Sequence, residues 1–119
     1  MKIAIPTKPP NNVFAYTLVA TRPAMLTEGA TDEEKAVAAR HWKYSIELLK
    51  SGTIVFGGRT MITTPESFAI CVIRAETADA ARAIMNADPA VSGGVFRATL
   101  YPFQPMLLGE WPADTAHVA

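Results

Sequence analysis

The sequence predicts an α+β domain whose elements follow the order β-α-β-β-α-β. Apolar residues recur at helical spacing in residues 31–52, an alanine-rich helical segment covers residues 77–87, and four segments of strand-forming residues flank these two helices. Right-handed crossovers place both helices on one face of a four-stranded antiparallel sheet, which is the ferredoxin-like arrangement. The other sheet face is open in a monomer, so we expect a homodimer that joins two sheet faces.

The long helix carries the clearest signals. Thr31, with Glu34 three residues later, is the pattern of a capping box, and Gly52 can take the left-handed conformation that ends a helix. The stripe expected to face the interior consists of Val37, His41, Tyr44 and Leu48. The stripe beside it consists of Ala38, Trp42, Ser45 and Leu49. This spacing points the imidazole of His41 towards the core or towards a pocket.

The strands are predicted at residues 13–20, 53–61, 67–74 and 95–103. Gly57 and Gly58 interrupt the second strand, which predicts a bulge or the close approach of another group. The third strand is almost continuously apolar, so we expect it to be buried on both faces. Residues 22–30 are expected to form a loop and residues 92–94 a turn.

The second helix has its own start and stop signals. Thr77 is the expected N-cap, and the proline in Asp88-Pro89 ends the helix because it disfavours helical geometry at the residue before it. The residues expected to face the sheet are Ala81, Ile84 and Met85.

Composition limits the possible classes of function. The chain has 119 residues, of which 50% are hydrophobic, and its 11 basic and 11 acidic residues cancel. We therefore expect one folded domain with no basic field for nucleic acid or for an anionic membrane surface. The apolar runs are shorter than the ~20 residues of a membrane span. Cys71 is the only cysteine, which suits a reducing compartment, and we expect a cytoplasmic protein.

The predicted organisation is a flexible N-terminal arm at residues 1–12, the domain at residues 13–104 and a C-terminal tail at residues 105–119. No metal is expected, because the chain has two histidines and no paired His/Cys spacing. We also expect no cofactor, because neither a phosphate-cradling glycine loop nor a haem or flavin motif is present. The serines provide no strained nucleophile turn.

Two residues are the candidates for acid–base catalysis. His41 lies on the first helix and Asp88 ends the second, and contact between them is possible because both helices pack on one sheet face. A carboxylate beside an imidazole fixes its tautomer and raises its basicity. The alternatives are that Asp88 serves only in turn formation and that His41 is a core histidine bonded to backbone or to Tyr44.

Three further residues are candidates for substrate binding. Arg22 and Arg59 lie at strand ends, where a guanidinium can bind a carboxylate or phenolate. Solvated rim positions are the alternative for both. Tyr16 can line a pocket and donate its hydroxyl, with core packing as the alternative.

The sequence resembles the YCII-related proteins. The resemblance extends over residues 13–103 and rests on short motifs along the chain. They are His41 in the long first helix, Gly52 at its end, Gly57-Gly58 in the second strand, the alanine-rich second helix, Asp88-Pro89, and Tyr101-Pro102-Phe103 in the last strand. Ala90 departs from the family, which often has Phe after Asp-Pro.

The resemblance implies a dimeric α/β barrel of ferredoxin-like subunits with a His–Asp active site that maps onto His41 and Asp88. One member type is a dehydrochlorinase that acts on a chlorinated hydroxyhydroquinone. Our first hypothesis is therefore a cofactor-free lyase or isomerase that transfers a proton on a small cyclic or aromatic substrate. The alternatives are a non-catalytic module that binds a small ligand or a partner, and a quinol-type monooxygenase.

Overall fold

The computed structural model describes residues 12–110. Most of the predicted arm at residues 1–12 and the tail beyond residue 110 lie outside the described residues, so the predicted domain boundaries stay predictions. Within residues 12–110, no helix combines the length and the apolar character needed to cross a bilayer.

The structure contains the predicted four-stranded antiparallel sheet. Strand β1 (Val13–Ala20) pairs on one side with β3 (Ala69–Arg74) and on the other with β4 (Phe96–Pro102). Strand β2 (Ile54–Arg59) pairs with β3 at one edge, and the strand order is β2-β3-β1-β4. The predicted ferredoxin-like fold is confirmed, with β1 at the centre of the domain.

The two predicted helices are present with the predicted caps. Helix α2 (Asp32–Lys50) begins with the Thr31–Glu34 capping box, in which the Thr31 hydroxyl accepts the Glu34 N–H and the Glu34 carboxylate accepts the Thr31 N–H. Helix α3 (Ala78–Ala87) begins at Thr77, whose side chain accepts the N–H of Ala80. These caps satisfy backbone donors that a helix start leaves without intrahelical partners.

The main core lies between the sheet and the helices. On the helix side, β1 contributes Phe14, Tyr16 and Leu18, and α3 contributes Ala81 and Met85. Ile84 packs against this cluster from a partly buried position. The three α3 positions expected to face the sheet therefore do so.

The structure contains two short helices that the sequence does not predict: one lies within the expected loop at residues 22–30, and the other joins the expected end of the second helix to the turn at residues 92–94. Helix α1 (Ala24–Thr27) follows Pro23, whose φ of −55° and ψ of −29° already suit a helix, and it ends before Gly29. Helix α4 (Pro89–Ser92) begins directly after α3, because the Asp88 side chain accepts the Ala90 N–H and Pro89 takes the first helical position.

Strand β2 is irregular, as predicted, but the irregularity does not lie at the glycines. The register shifts between Ile54 and Phe56, whereas Gly57 and Gly58 pair regularly with β3. Of the two alternatives predicted for the glycine pair, a bulge or the close approach of another group, the bulge was therefore wrong. Both glycines line a cavity, and at Gly57, which pairs with Cys71 of the helix-side core, the absent side chain leaves space on a regularly paired part of the strand.

Strand β3 is buried on both faces at its centre, as its apolar composition predicted. Cys71 and Ile73 belong to the core beneath the helices, while Val72 joins a second cluster on the opposite face. This second cluster lies on the face of the sheet that no helix of residues 12–110 covers, called the helix-free face below. Its members are Val13, Ala15 and Val72, with Val55 and Ile70 packed against them.

The capping box gives a prediction about stability. Replacing Thr31 with Ala removes the acceptor for the Glu34 N–H, so we expect the free energy of unfolding to fall by about 1 kcal/mol. Urea denaturation followed by circular dichroism measures this change. Thr63→Ala is the control, because Thr63 is exposed and its side chain makes no hydrogen bond within residues 12–110. A loss no larger than that of the control would show that the cap contributes nothing.

Candidate active site

The two residues predicted to form an acid–base pair are in contact. His41 Nδ1 lies 2.7 Å from Asp88 Oδ1, across the interface between α2 and the α3–α4 junction. Asp88 is 0% exposed, whereas the side chain of His41 retains 27% exposure. Asp88 also caps α4, so the turn interpretation and the pairing interpretation of this residue both hold.

The Asp88 carboxylate accepts hydrogen bonds on both oxygens. Oδ2 accepts the hydroxyl of Tyr16 at 2.8 Å, and Oδ1 accepts the backbone N–H of Ala90 at 2.9 Å. A carboxylate that already acts as an acceptor on both oxygens requires His41 Nδ1 to donate. The tautomer with the proton on Nδ1 leaves a lone pair on Nε2.

Two titratable groups near the carboxylate, the Tyr16 phenol and the Cys71 thiol, are protonated near neutral pH. Burial raises the pKa of the Tyr16 phenol far above its usual range, and Cys71 and the Asp88 carboxylate raise it further. Tyr16 therefore remains a hydrogen-bond donor. Burial raises the pKa of the Cys71 thiol to about 11, so this residue is a neutral thiol near pH 7 and not an activated nucleophile.

His41 lies on the wall of a cavity of about 410 Å³. Helix α2 forms one side, strands β2 and β3 form the other, and Leu18 adds a contribution from β1. The polar lining residues are His41, Ser45, Arg59 and Cys71. The apolar lining residues include Trp42, Ile46, Leu49, Ile54 and Ile70. An imidazole beside a mainly apolar concave surface is typical of small-molecule sites.

Gly57 of β2 explains why space exists here. Gly57 pairs with Cys71, which pairs with Tyr16 on its other side, so the three residues form one row across the sheet. A larger side chain at Gly57 would project from this row towards α2. The row connects the cavity floor to Tyr16, whose hydroxyl reaches Asp88.

A second, shallower depression of about 280 Å³ lies beside Phe56 and Phe68, and it shares Arg59 with the first cavity. His41 does not line it. The chemistry of the His41–Asp88 pair therefore belongs to the larger cavity.

The predicted substrate-binding residues occupy three different environments. Arg59 lines the cavity. Tyr16 is 0% exposed and faces Asp88 rather than the cavity. Arg22 donates through Nε and Nη2 to Glu34, at 2.9 and 2.7 Å, and does not line the cavity. Their roles in substrate binding stay predictions, and the geometry favours only Arg59.

Arg22 instead supports the start of the long helix. Its hydrogen bonds to Glu34 are the main cause that lowers the pKa of that carboxyl to about 2. Glu34 therefore accepts from the Arg22 guanidinium and from the capping residue at once. A second contact, from Arg22 Nη2 to the carbonyl of Gly29 at 3.0 Å, connects the guanidinium to the segment before α2.

Part of the cavity wall has a signal in the sequence, although it gave no site prediction. Three members of the second helical stripe line the cavity: Trp42, Ser45 and Leu49. Their spacing beside His41 was the available signal. The Tyr16–Asp88 hydrogen bond had no local signal, because the two residues are 72 positions apart. In the part of the chain that the structure describes, no group of three or more potential ligand side chains could hold a metal ion.

Among solved structures, the chain is similar to 5-chloro-2-hydroxyhydroquinone dehydrochlorinase from Burkholderia phenoliruptrix AC1100, in complex with 2,5-dihydroxybenzoquinone. The TM-score is 0.54 at 21% identity, over 76% of this chain and 93% of that chain. At this identity the likeness shows the fold. A search of curated proteins found no match.

A second similar structure is SnoaB, a cofactor-independent oxygenase from Streptomyces nogalater, with a TM-score of 0.38 at 16% identity over 90% of this chain and 100% of that chain. That TM-score is too low to carry an argument. The family comparison is specific to one family, because the model of the YCII-related domain matches residues 13–104. The chain therefore belongs to the YCII-related family.

Proposed function

We propose that the protein is a cofactor-free enzyme of the lyase or isomerase kind, which transfers a proton on a small cyclic or aromatic substrate. The observation that carries this proposal is the position of His41. Its Nδ1 is bonded to a buried carboxylate, and its ring lines a cavity large enough for a small molecule. A positioned base of this kind contributes ~10²–10⁴-fold to the rate.

His41 acts as the general base through Nε2. This nitrogen makes no hydrogen bond with another residue of the described range. It removes a proton from the substrate, and the electron pair of the broken bond stays on the ring as an enolate or phenolate. The imidazolium then returns the proton to another ring atom in an isomerisation. In an elimination, the electron pair instead expels an anionic group from a neighbouring carbon, and the imidazolium releases its proton to solvent.

Asp88 orients the imidazole and stabilises the imidazolium. Because Oδ1 bonds Nδ1 directly at 2.7 Å, the carboxylate holds one ring tautomer before the reaction and faces a full positive charge after it. Its burial keeps water from competing for the same oxygens. This arrangement gives Asp88 an electrostatic role without its taking the proton.

Arg59 provides the substrate anchor in this proposal. Among residues 12–110, it is the only lining side chain with a permanent charge, and no acidic side chain of that range lines the cavity. Arg59 also lies two residues along β2 from Gly57, on the same sheet face and about 6.6 Å away. We therefore propose a substrate whose ring packs on the apolar wall and whose carboxylate or ring oxyanion meets Arg59.

A non-catalytic small-ligand-binding module is the alternative function. It is favoured by the mainly apolar and open cavity wall, including Trp42 with 65% of its surface exposed. In that case the same pair of residues would only provide a hydrogen bond to a ligand. The two functions differ in whether the bound molecule exchanges a proton.

We also propose a homodimer that buries the helix-free face of the sheet. The apolar cluster on that face is already buried, with Val13, Ala15 and Val72 each at most 7% exposed, whereas Phe56 and Tyr101 beside it are each 49% exposed. Phe56 pairs with Val72 and Tyr101 pairs with Ala15, so both aromatic residues flank the cluster on the same face. Exposed apolar surface of this kind is typical of a protein interface.

The catalytic proposal is tested with His41→Asn. The asparagine amide can still donate to Asp88, but it cannot take a proton, so turnover should fall at least ~10²-fold while the melting temperature changes little. Small oxygenated rings, beginning with 2,5-dihydroxybenzoquinone, are incubated in D₂O, and deuterium incorporation or product is followed by NMR. Lys43→Asn introduces the same residue at an exposed position of α2 and should retain wild-type turnover.

Retention of turnover or deuterium exchange in His41→Asn would exclude His41 as the base. A compound that raises the melting temperature but exchanges no proton in the wild-type protein would favour the binding module instead.

The anchoring role of Arg59 is tested by comparing benzoate with benzamide, its neutral analogue. Calorimetry should give wild-type protein a preference for benzoate, and Arg59→Met should lower benzoate affinity roughly 5-fold, as expected for a solvent-exposed charge pair of ~1 kcal/mol. Benzamide affinity should not change. Arg82→Met, at an exposed position of α3, is the control. Equal losses for both compounds would argue against charge recognition.

The homodimer is tested by light scattering after size-exclusion chromatography, which should give about twice the chain mass. Thr17→Arg places a charge on the helix-free face, opposite Ile70 and Thr99, and should shift the protein to a monomer. Ala83→Arg places the same charge on an exposed position of α3 and should leave the dimer intact. A monomeric wild-type protein would contradict the proposal.

A further inference from the structure

Tyr16 is a buried polar residue that does not reach the cavity. Its side chain is 0% exposed, on the central strand of the sheet, and its hydroxyl donates to Asp88 Oδ2 at 2.8 Å. The other oxygen of the same carboxylate faces His41. A continuous chain of hydrogen bonds therefore runs from β1 through the α3–α4 junction to the imidazole on α2.

We propose that Tyr16 is a positioning residue for His41, acting through Asp88. This inference rests on the proposed function of His41 as the base. The Tyr16 hydroxyl fixes the plane of the carboxylate, so that Oδ1 stays aligned with Nδ1 while the imidazole lines the cavity. Tyr16 does not touch the substrate.

The distribution of donors on the carboxylate supports this role. Oδ1 serves two donors, the imidazole of His41 and the backbone N–H of Ala90, whereas Tyr16 is the donor bonded to Oδ2 within residues 12–110. Without the Tyr16 hydroxyl, Oδ2 would be a buried acceptor lacking this donor. The carboxylate would then gain by rotating towards another donor, which would misalign Oδ1 from the imidazole.

The alternative is that Tyr16 is only a core residue whose hydroxyl happens to be satisfied by the nearest acceptor. Both explanations predict a loss of stability when the hydroxyl is removed. They differ in the effect on His41, because a purely structural hydroxyl would leave the imidazole environment unchanged.

The test compares Tyr16→Phe with Tyr44→Phe. Tyr44 lies on α2 one turn from His41 and donates its hydroxyl to the carbonyl of Ile84 at 2.8 Å, so this control removes a tyrosine hydrogen bond of the same length without removing a donor to Asp88. The imidazole resonances of His41 are followed by NMR and assigned by their absence in His41→Asn. The Nδ1–H resonance should shift or broaden in Tyr16→Phe and stay in place in Tyr44→Phe.

Kinetics provide the second measurement. Tyr16→Phe should lower kcat roughly 10-fold or more, as for other partners that orient a functional histidine, with KM nearly unchanged because Tyr16 does not line the cavity. In an Asp88→Asn background the same substitution should have little further effect on kcat, since the route through the carboxylate is already lost.

Unchanged His41 resonances in Tyr16→Phe would overturn the proposal, as would fully additive effects on kcat in the double variant. The NMR measurement uses the protein without substrate. It therefore separates a failure of this inference from a failure of the catalytic proposal, which full turnover in His41→Asn would reveal.

Discussion

The buried carboxylate of Asp88 is the constraint around which the site is arranged. An ionised carboxylate without partners costs several kcal/mol in the interior of a protein, and here its donors come from three separate parts of the fold. They are the hydroxyl of Tyr16 on β1, the imidazole of His41 on α2 and the backbone N–H of Ala90 in α4. Satisfying this one group therefore fixes the relative positions of the sheet, the long helix and the helix junction.

The same arrangement gives the two nitrogens of the His41 imidazole different environments. One nitrogen of His41 is held by a group that water does not reach, and the ring itself stays partly exposed at the cavity. Proton transfer needs this combination, because the held nitrogen sets the tautomer while the other nitrogen is available for exchange. Helix α2 provides a rigid support, since its start is tied by the capping box and by the pairing of Arg22 with Glu34.

The cavity exists because the sheet lacks a side chain opposite α2, at Gly57. Gly57 leaves the helix side of a regularly paired part of the edge strand without a side chain, and the helix presents Trp42, Ser45 and Leu49 across the gap. Members of one fold family can therefore acquire different ligands by changing a few lining residues while the sheet and helices stay the same. In this chain the lining combines an apolar wall with one permanent positive charge, at Arg59.

The sequence by itself determined the order of the main elements, both helix caps and the face of α3 that enters the core, and it gave His41 and Asp88 only as candidates for a pair. These features depend on local spacing and on residues near each other in the chain, which propensity and capping rules describe. Local rules failed at α1 and α4, where a proline-initiated turn continued into one helical turn, and at β2, where the bulge preceded the glycines. Only the tertiary structure decided that Asp88 both caps α4 and pairs with His41, and that Tyr16 donates to the same carboxylate from 72 residues away. It also decided that Arg22 pairs with Glu34 while Arg59 lines the cavity. The reason is that hydrogen bonds and ion pairs of long side chains depend on which groups the packing brings within about 3 Å, a distance that residue spacing along the chain does not encode.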